Sequence, residues 1–342
     1  MIKIDGSIGE GGGQILRTSI ALSTATGRDV EVFNIRAKRP RPGLRPQHLW
    51  AIKSVAEICD ADVEGLKEHS MRVVFRPKEI VNRSLKIDIG TAGSIMLLLQ
   101  AIIPSIANSG THLDLEVRGG TDVKWSPNGD YFHHLVVPLY SLLGLNVKFE
   151  IRRRGYYPLG GGLVFCSIDA PRSIRSIDLS EREQSNVRIS SVCSNLSQEV
   201  AERQAKSAVN DLNAVGIEAS NVDVRSEDAP SPGTAICVYN LDEKRSYVGS
   251  DALGEKRKPA EIVGSDVVSR FLIGYESTAA LDHNLADMII PLICLSREPS
   301  RFTTSKISEH LVTNLTVANE ITGCTHKIKR IKKNLFEVRL KP

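Results

Sequence analysis

Along the first 80 residues the apolar positions switch between two periods. They alternate in short runs such as IKID at 2–5, and recur every three or four residues in longer runs such as QILRTSIALSTAT at 14–26. This predicts a strand at 2–5, a Gly-rich turn, a helix at 14–26, a strand at 30–36, a helix at 46–59 and short strands near Val63 and Val73, a βαβαββ order. The next stretch repeats that order: strand 85–89, helix 92–106, strand 112–117, helix 130–143, and strands near Val147 and Val164. The two openings also match, DGSIGEGGGQIL against DIGTAGSIMLLL, each a strand entering a turn of small residues and then a helix.

A third copy starts with a strand at 176–179 and breaks off. Its helix resumes at 285–295, followed by a strand near Phe302, a helix over about 308–321, and strands near Ile328 and over 336–340. Residues 184–272 have a pattern of their own: strand 187–193, a strongly polar helix at 198–215, strands near Val222 and Ile236, and a helix after Pro259. A stretch this long with both helix and strand signals reads as a small domain, not a loop. The expected fold is therefore α/β (α+β). Three repeated βαβαββ units form a large domain, 1–183 and 273–342, and a smaller α/β domain at 184–272 is inserted in the third unit.

Composition narrows the class. With 342 residues, 41% hydrophobic and 25% charged, the chain has the make-up of a folded globular protein and is long enough for a catalytic cleft. The net charge of +4 permits a polyanionic partner without requiring one. Arg36, Lys38, Arg39, Arg41 and Arg45 fall within ten residues with no acid among them; read alone, such a run is as readily a solvated loop as a binding surface. The six cysteines are far apart and form no CxxC, which suggests neither a zinc knuckle nor a disulfide framework. The opening MIKID has no basic segment followed by an apolar core. The most apolar run, 95–107, is too short for a bilayer and holds Gln100 and Pro104. The expectation is a cytoplasmic protein that does not span a membrane.

Four places could carry chemistry. The turn GEGGGQILR puts glycines between a strand and a helix start, where backbone N–H groups and a positive helix end suit an anion, although such turns are often only structural. Glu10 lies within it, where a metal bridging a polyphosphate needs an oxygen ligand, and Arg17 follows one turn into the helix. His310, in SEHLVTN, stands at the predicted start of a helix, where the macrodipole disfavours imidazolium and keeps the ring nucleophilic; a single histidine among eight is as readily structural. Gln100 interrupts IMLLLQAIIP with an amide that must find partners. The segment Asp282 to Met288 puts polar groups at the start of an apolar helix, where Asp287 also suits the helix dipole.

GEGGGQILR, IRAKRPRPGLRPQH, GTAGS followed by Gln100, RGGTD, YYPLGGG, LAD and EHLVTN occur in the order and at the spacing seen in the RNA 3′-terminal phosphate cyclases, and the chain resembles that family over nearly its whole length. The resemblance implies that ATP activates an RNA 3′-phosphate end through an adenylated histidine and that the end closes to a 2′,3′-cyclic phosphate, with Mg²⁺ or Mn²⁺ assisting. It puts the nucleophile on His310 and the metal position on Glu10. Arg17, Arg36, Arg39, Gln47 and Gln100 fall around the phosphates of ATP or RNA, with Arg36, Arg39 and Gln47 on the RNA side. Pro127 and Tyr131 flank the adenine, and His283, Asn284, Asp287 and Met288 form the nucleoside segment. Met288 stands where the family commonly has glutamine, and methionine cannot hydrogen-bond a base as an amide does. Asn284 occupies a position often held by a ring, with His283 displaced by one. Two rivals fit less well. A non-catalytic cyclase-like RNA-binding protein of ribosome assembly would lack His310, and an enolpyruvyl transferase-like enzyme has no counterpart to the His310 segment.

Overall fold

The computed structural model describes residues 1–9, 11–80, 83–180, 182, 186–242 and 246–342. The first elements are β1 (Ile2–Asp5), α1 (Gly13–Thr26), β2 (Val30–Phe33), α2 (Pro46–Cys59), β3 (Asp62–Glu64) and β4 (Val73–Arg76). Next come β5 (Arg83–Asp88), α3 (Ile95–Ser105), β6 (His112–Gly119), α4 (Gly129–Tyr131), α5 (Val137–Leu142), β7 (Asn146–Arg153) and β8 (Gly162–Asp169). After β9 (Asp178–Leu179) the chain forms β10 (Val187–Ser194), α6 (Glu199–Ala214), β11 (Ala219–Ser226), β12 (Gly233–Asp242), β13 (Ser246–Leu253) and α7 (Ala260–Glu276). It ends with α8 (His283–Ile293), β14 (Ser300–Thr304), α9 (Glu309–Thr322), β15 (Thr325–Lys332) and β16 (Leu335–Lys341).

Three sheets share one topology. Their orders are β1-β2-β4-β3, β5-β6-β8-β7 and β9-β14-β16-β15, and in each the first two strands are parallel while the other pairings are antiparallel. The helices of these units pack on one another through α1, α2, α3, α8 and α9, around apolar side chains such as Leu16, Ile52, Leu99, Ile290 and Leu315. The fourth sheet, β11-β10-β12-β13, is covered on one face by α6 and α7 over a second apolar cluster that includes Ile189, Leu212, Val238 and Phe271. Its other face contributes Cys237, Tyr239 and Tyr247 to the larger core.

Several expected elements differ in detail. The strand expected to reach residue 36 stops at Phe33, because Asn34 and Arg36 take φ of 51° and 55° and turn the basic loop away from the sheet. The helix expected over 130–143 is a π turn, Phe132–Val136, between α4 and α5. Strand β13 was not expected at all. The helix after Pro259 runs on to Glu276, past residue 272. Among the described residues no helix is long and apolar enough to cross a membrane.

Candidate active site

Glycine shapes the first wall of the site. Gly9 and Gly11, at φ of 54° and 57°, lie in the left-handed region that penalises other residues and turn the chain from β1 into α1. A Cβ on Gly9 would collide with Thr313 Oγ1 on α9, so this turn sits directly against that helix. α1 starts at Gly13 with no side-chain cap and no acid in its first turn, leaving its leading N–H groups for an anion.

His310 is the second residue of α9 and is half-buried. The Ser308 hydroxyl caps this helix by accepting from Leu311 N–H (2.9 Å) and itself donates to Asp287 Oδ1 (2.6 Å). Asn314 Nδ2 donates to the Asp287 carbonyl (2.7 Å), Thr18 Oγ1 donates to Asn314 Oδ1 (2.8 Å), and Gln14 Nε2 reaches the His310 carbonyl (3.4 Å). These bonds tie α1, α8 and α9 together around His310.

All three helices open on one cavity of about 1570 Å³. Arg17, Arg36, Arg39, Gln47 and Gln100 line it, as do Pro127 and Tyr131, and Asn284, Asp287, Met288 and His310 close the side formed by α8 and α9. Tyr131 is buried, and its hydroxyl donates to both carboxylate oxygens of Asp282 (2.8 Å each), the N-cap of α8. His283, half-buried at the first position of α8, is not among the cavity's described lining. Glu10 lies outside the described residues.

The wall formed by α1 and the basic loop is cationic, with Arg17, Arg36, Arg39 and Arg45 on it. Desolvation holds the Arg17 guanidinium at about 10, and burial together with Arg39 and Arg45 pulls Arg36 downward; no carboxylate among the described residues offsets either. Lys38 and Arg41, from the same basic loop, are exposed and outside the lining. Among the described residues, buried side-chain atoms without a hydrogen-bond partner gather here: the acceptor Gln14 Oε1, and Arg36 Nε, Gln100 Nε2 and His48 Nε2. His48 Nδ1 accepts the Arg45 backbone N–H (3.1 Å), so in the neutral ring the proton sits on Nε2 and the last three are donors. Each costs about 1–3 kcal/mol if left unsatisfied, which a bound anion relieves.

Two residues of this wall were missed in the sequence. His48 is 1% exposed, and burial followed by the charges of Arg17, Arg36 and Arg45 drives its pKa to about 3. Trp125 is 95% exposed at the cavity edge, a costly place for an indole unless something covers it. The signals were the polar and turn-forming neighbours of Trp125 in VKWSPN and the position of His48 at the end of the basic loop. Strand β13 and helix α7 supply a further side, including Asp251, whose carboxyl burial raises to about 6.

Comparison with known proteins adds to this geometry. A family model described as RNA 3′-terminal phosphate cyclase matches residues 8–328. The chain is 41% identical over 339 residues to a protein of that name from Methanopyrus kandleri, covering 96% of this chain and 95% of the other. It is 40% identical over 333 residues to one from Pyrococcus furiosus, covering 96% and 95%. A third, from Methanococcoides burtonii, is 42% identical over 330 residues, covering 96% and 97%.

Proposed function

The chain belongs to the RNA 3′-terminal phosphate cyclase family, and from that premise we propose that it uses ATP to convert an RNA 3′-phosphate end to a 2′,3′-cyclic phosphate. The observation that carries this reading is the position of His310, at a helix N-terminus on the same cavity as Arg17, Arg36 and buried donors that have no partner among the described residues.

In the first step a ring nitrogen of His310 attacks the α-phosphorus of ATP; a P–N bond forms and the P–O bond to pyrophosphate breaks. Charge builds on the phosphoryl oxygens, where Arg17, Gln100 and the open N-terminus of α1 are placed to meet it. Next an oxygen of the RNA 3′-phosphate attacks the same phosphorus and breaks the P–N bond, giving an adenylated end and restoring His310. Arg36, Arg39 and Gln47 hold that RNA phosphate. Finally the adjacent 2′-hydroxyl attacks the RNA phosphorus and expels AMP, its proton leaving for solvent; the groups are already neighbours on one ribose, so little orientational cost remains.

Pro127, Tyr131, Asn284, Asp287 and Met288 form the nucleoside side of the cavity, and His283 precedes Asn284 outside its described lining. Met288 gives apolar packing there and no amide contact. Trp125 offers a π face to a base at the entrance. A cation that travels with a polyphosphate takes most ligands from phosphate and water and only one or two carboxylates from protein. Glu10 is the carboxylate that would hold Mg²⁺ or Mn²⁺ brought with the nucleotide, where the ion would neutralise pyrophosphate charge. Six buried free thiols suit a cytoplasmic setting.

The test changes only the RNA. A 3′-phosphorylated end with a 2′-deoxy terminal sugar should accept AMP and stop, so the adenylated end accumulates at saturating RNA. Removal of the 3′-phosphate from that substrate, or cyclisation of normal RNA without AMP formation, would overturn the reading.

A further inference from the structure

Strand β15 is the outer strand of its sheet, and all of its residues are exposed. From its third residue onward and just past its end stand Lys327, Lys329, Arg330, Lys332 and Lys333, with no acid between them. Elsewhere the exposed cations of the sheets are commonly neutralised: Lys3 and Arg72 by Glu31, Lys78 by Asp62, Lys86 by Glu116. On β15 no carboxylate among the described residues pairs with any of the five. Their weight in the molecule is large, because the net charge is +4 and without these five cations the remainder would sum to −1. One or two lysines suffice to keep an edge strand from pairing with another chain. Five cations within residues 327–333, none paired with a carboxylate among the described residues, exceed that need.

The sheet register gives this strand a direction. β15 is antiparallel to β16 and β16 to β14, so β15 runs parallel to β14. Arg330 is level with Phe336, and Phe336 with Thr304, the last residue of β14. Two strand spacings, about 10 Å, separate Arg330 from Thr304. The chain then reaches the Ser308 cap and His310 within six residues of Thr304. The basic strand therefore leads toward the end of the sheet at which His310 stands. Ile328 and Ile331, 39% and 50% exposed, lie among the cations and offer apolar contact to unstacked bases, which a duplex would keep inside.

We propose that the β15 edge is the docking track for the phosphodiester backbone of single-stranded RNA upstream of its 3′ end. The proposal rests on the reading of the His310 site for its choice of partner, and not for its charge or geometry. The test is the triple variant Lys327→Gln, Lys329→Gln, Arg330→Gln, whose side chains are exposed and outside the cavity. Binding of an unstructured 3′-phosphorylated RNA of about 20 nucleotides and of a trinucleotide is measured over a range of salt. For the long RNA the slope of log K against log salt should fall by about 0.7 per lost phosphate contact, about 2 in all. Trinucleotide binding and self-adenylation with ATP alone should not change. An unchanged slope for the long RNA overturns the proposal. So does self-association of the variant with RNA binding intact, which would make the lysines guards of the edge. If wild-type protein is never adenylated yet the slope falls, the track stands and the reading of His310 falls.

Discussion

The Nε2 of Gln100 is buried with no partner among the described residues, and the imidazole of His48 is buried beside arginines that repel its protonated form. Each gives a prediction. Gln100→Leu should hold the unfolding free energy read from urea titration, or raise it by up to about 1–3 kcal/mol, while weakening ATP use; a loss of stability with unchanged KM for ATP would mean that the amide is structural. For His48 the folded pKa of about 3 lies below the unfolded value near 6.5, so between these the unfolded chain binds more protons and stability must fall as pH falls. The slope contributed approaches about 1.4 kcal/mol per pH unit. Subtracting the profile of His48→Gln from that of the wild type should isolate this contribution, and parallel urea midpoints over that window would contradict a buried neutral ring. Gln100 was legible in the sequence because an amide stands out in an apolar run. His48 was not, since in PQHLWAIK it reads as one polar position of an amphipathic helix and only the fold encloses it.

Helix α9 shows what an element adds. Its periodicity and SEHL start put His310 at an N-terminus from sequence alone, but not the bond from Ser308 to Asp287 that anchors this N-terminus to α8. Ser308→Ala should cost about 1 kcal/mol as a lost cap and should slow self-adenylation more than that loss of stability explains. Equal rates would show that the Asp287 bond does not position His310. Strand β13 was illegible for a comparable reason: SYVGSDAL lacks clean alternation because both faces are covered, and Gly249 makes room for the Leu135 side chain. Sheet order and the π turn arise from contacts between distant residues that no local period encodes.

At the scale of the molecule, the segment between β6 and β8 meets the chain just after β11 at Arg154, 2% exposed, which bonds to Asp122 (3.2 Å), Asp130 (2.8 Å) and Glu227 (2.8 Å). Burial works to raise Asp130, yet Arg154 and Arg225 hold it at about 2. We propose that residues 184–272 form an inserted unit and that this network fixes it against the second βαβαββ unit, where Asp122 and Asp251 also accept from Gly129 N–H (3.1 Å) and Asn128 N–H (2.7 Å) beside Pro127 and Tyr131. Arg154→Met takes the cation from buried Asp122 and leaves Asp130 and Glu227 with Arg225 alone. It should destabilise by about 3–5 kcal/mol and raise KM for ATP more than it lowers kcat. An unaffected KM would separate the network from the nucleoside wall. The repeated βαβαββ element order was legible in the sequence, but this junction was not, because Arg154 gathers partners 24, 32 and 73 residues away that no local period links.

The central claim is that His310 carries AMP. The direct measurement is incubation of wild-type protein and His310→Asn with α-labelled ATP and Mg²⁺, mapping of the labelled peptide, and a chase with 3′-phosphorylated RNA. An acid-labile, alkali-stable label on His310, absent from the variant and released as AMP as the cyclic end appears, is the predicted result. A label on another residue, or cyclic phosphate made by His310→Asn, would contradict it.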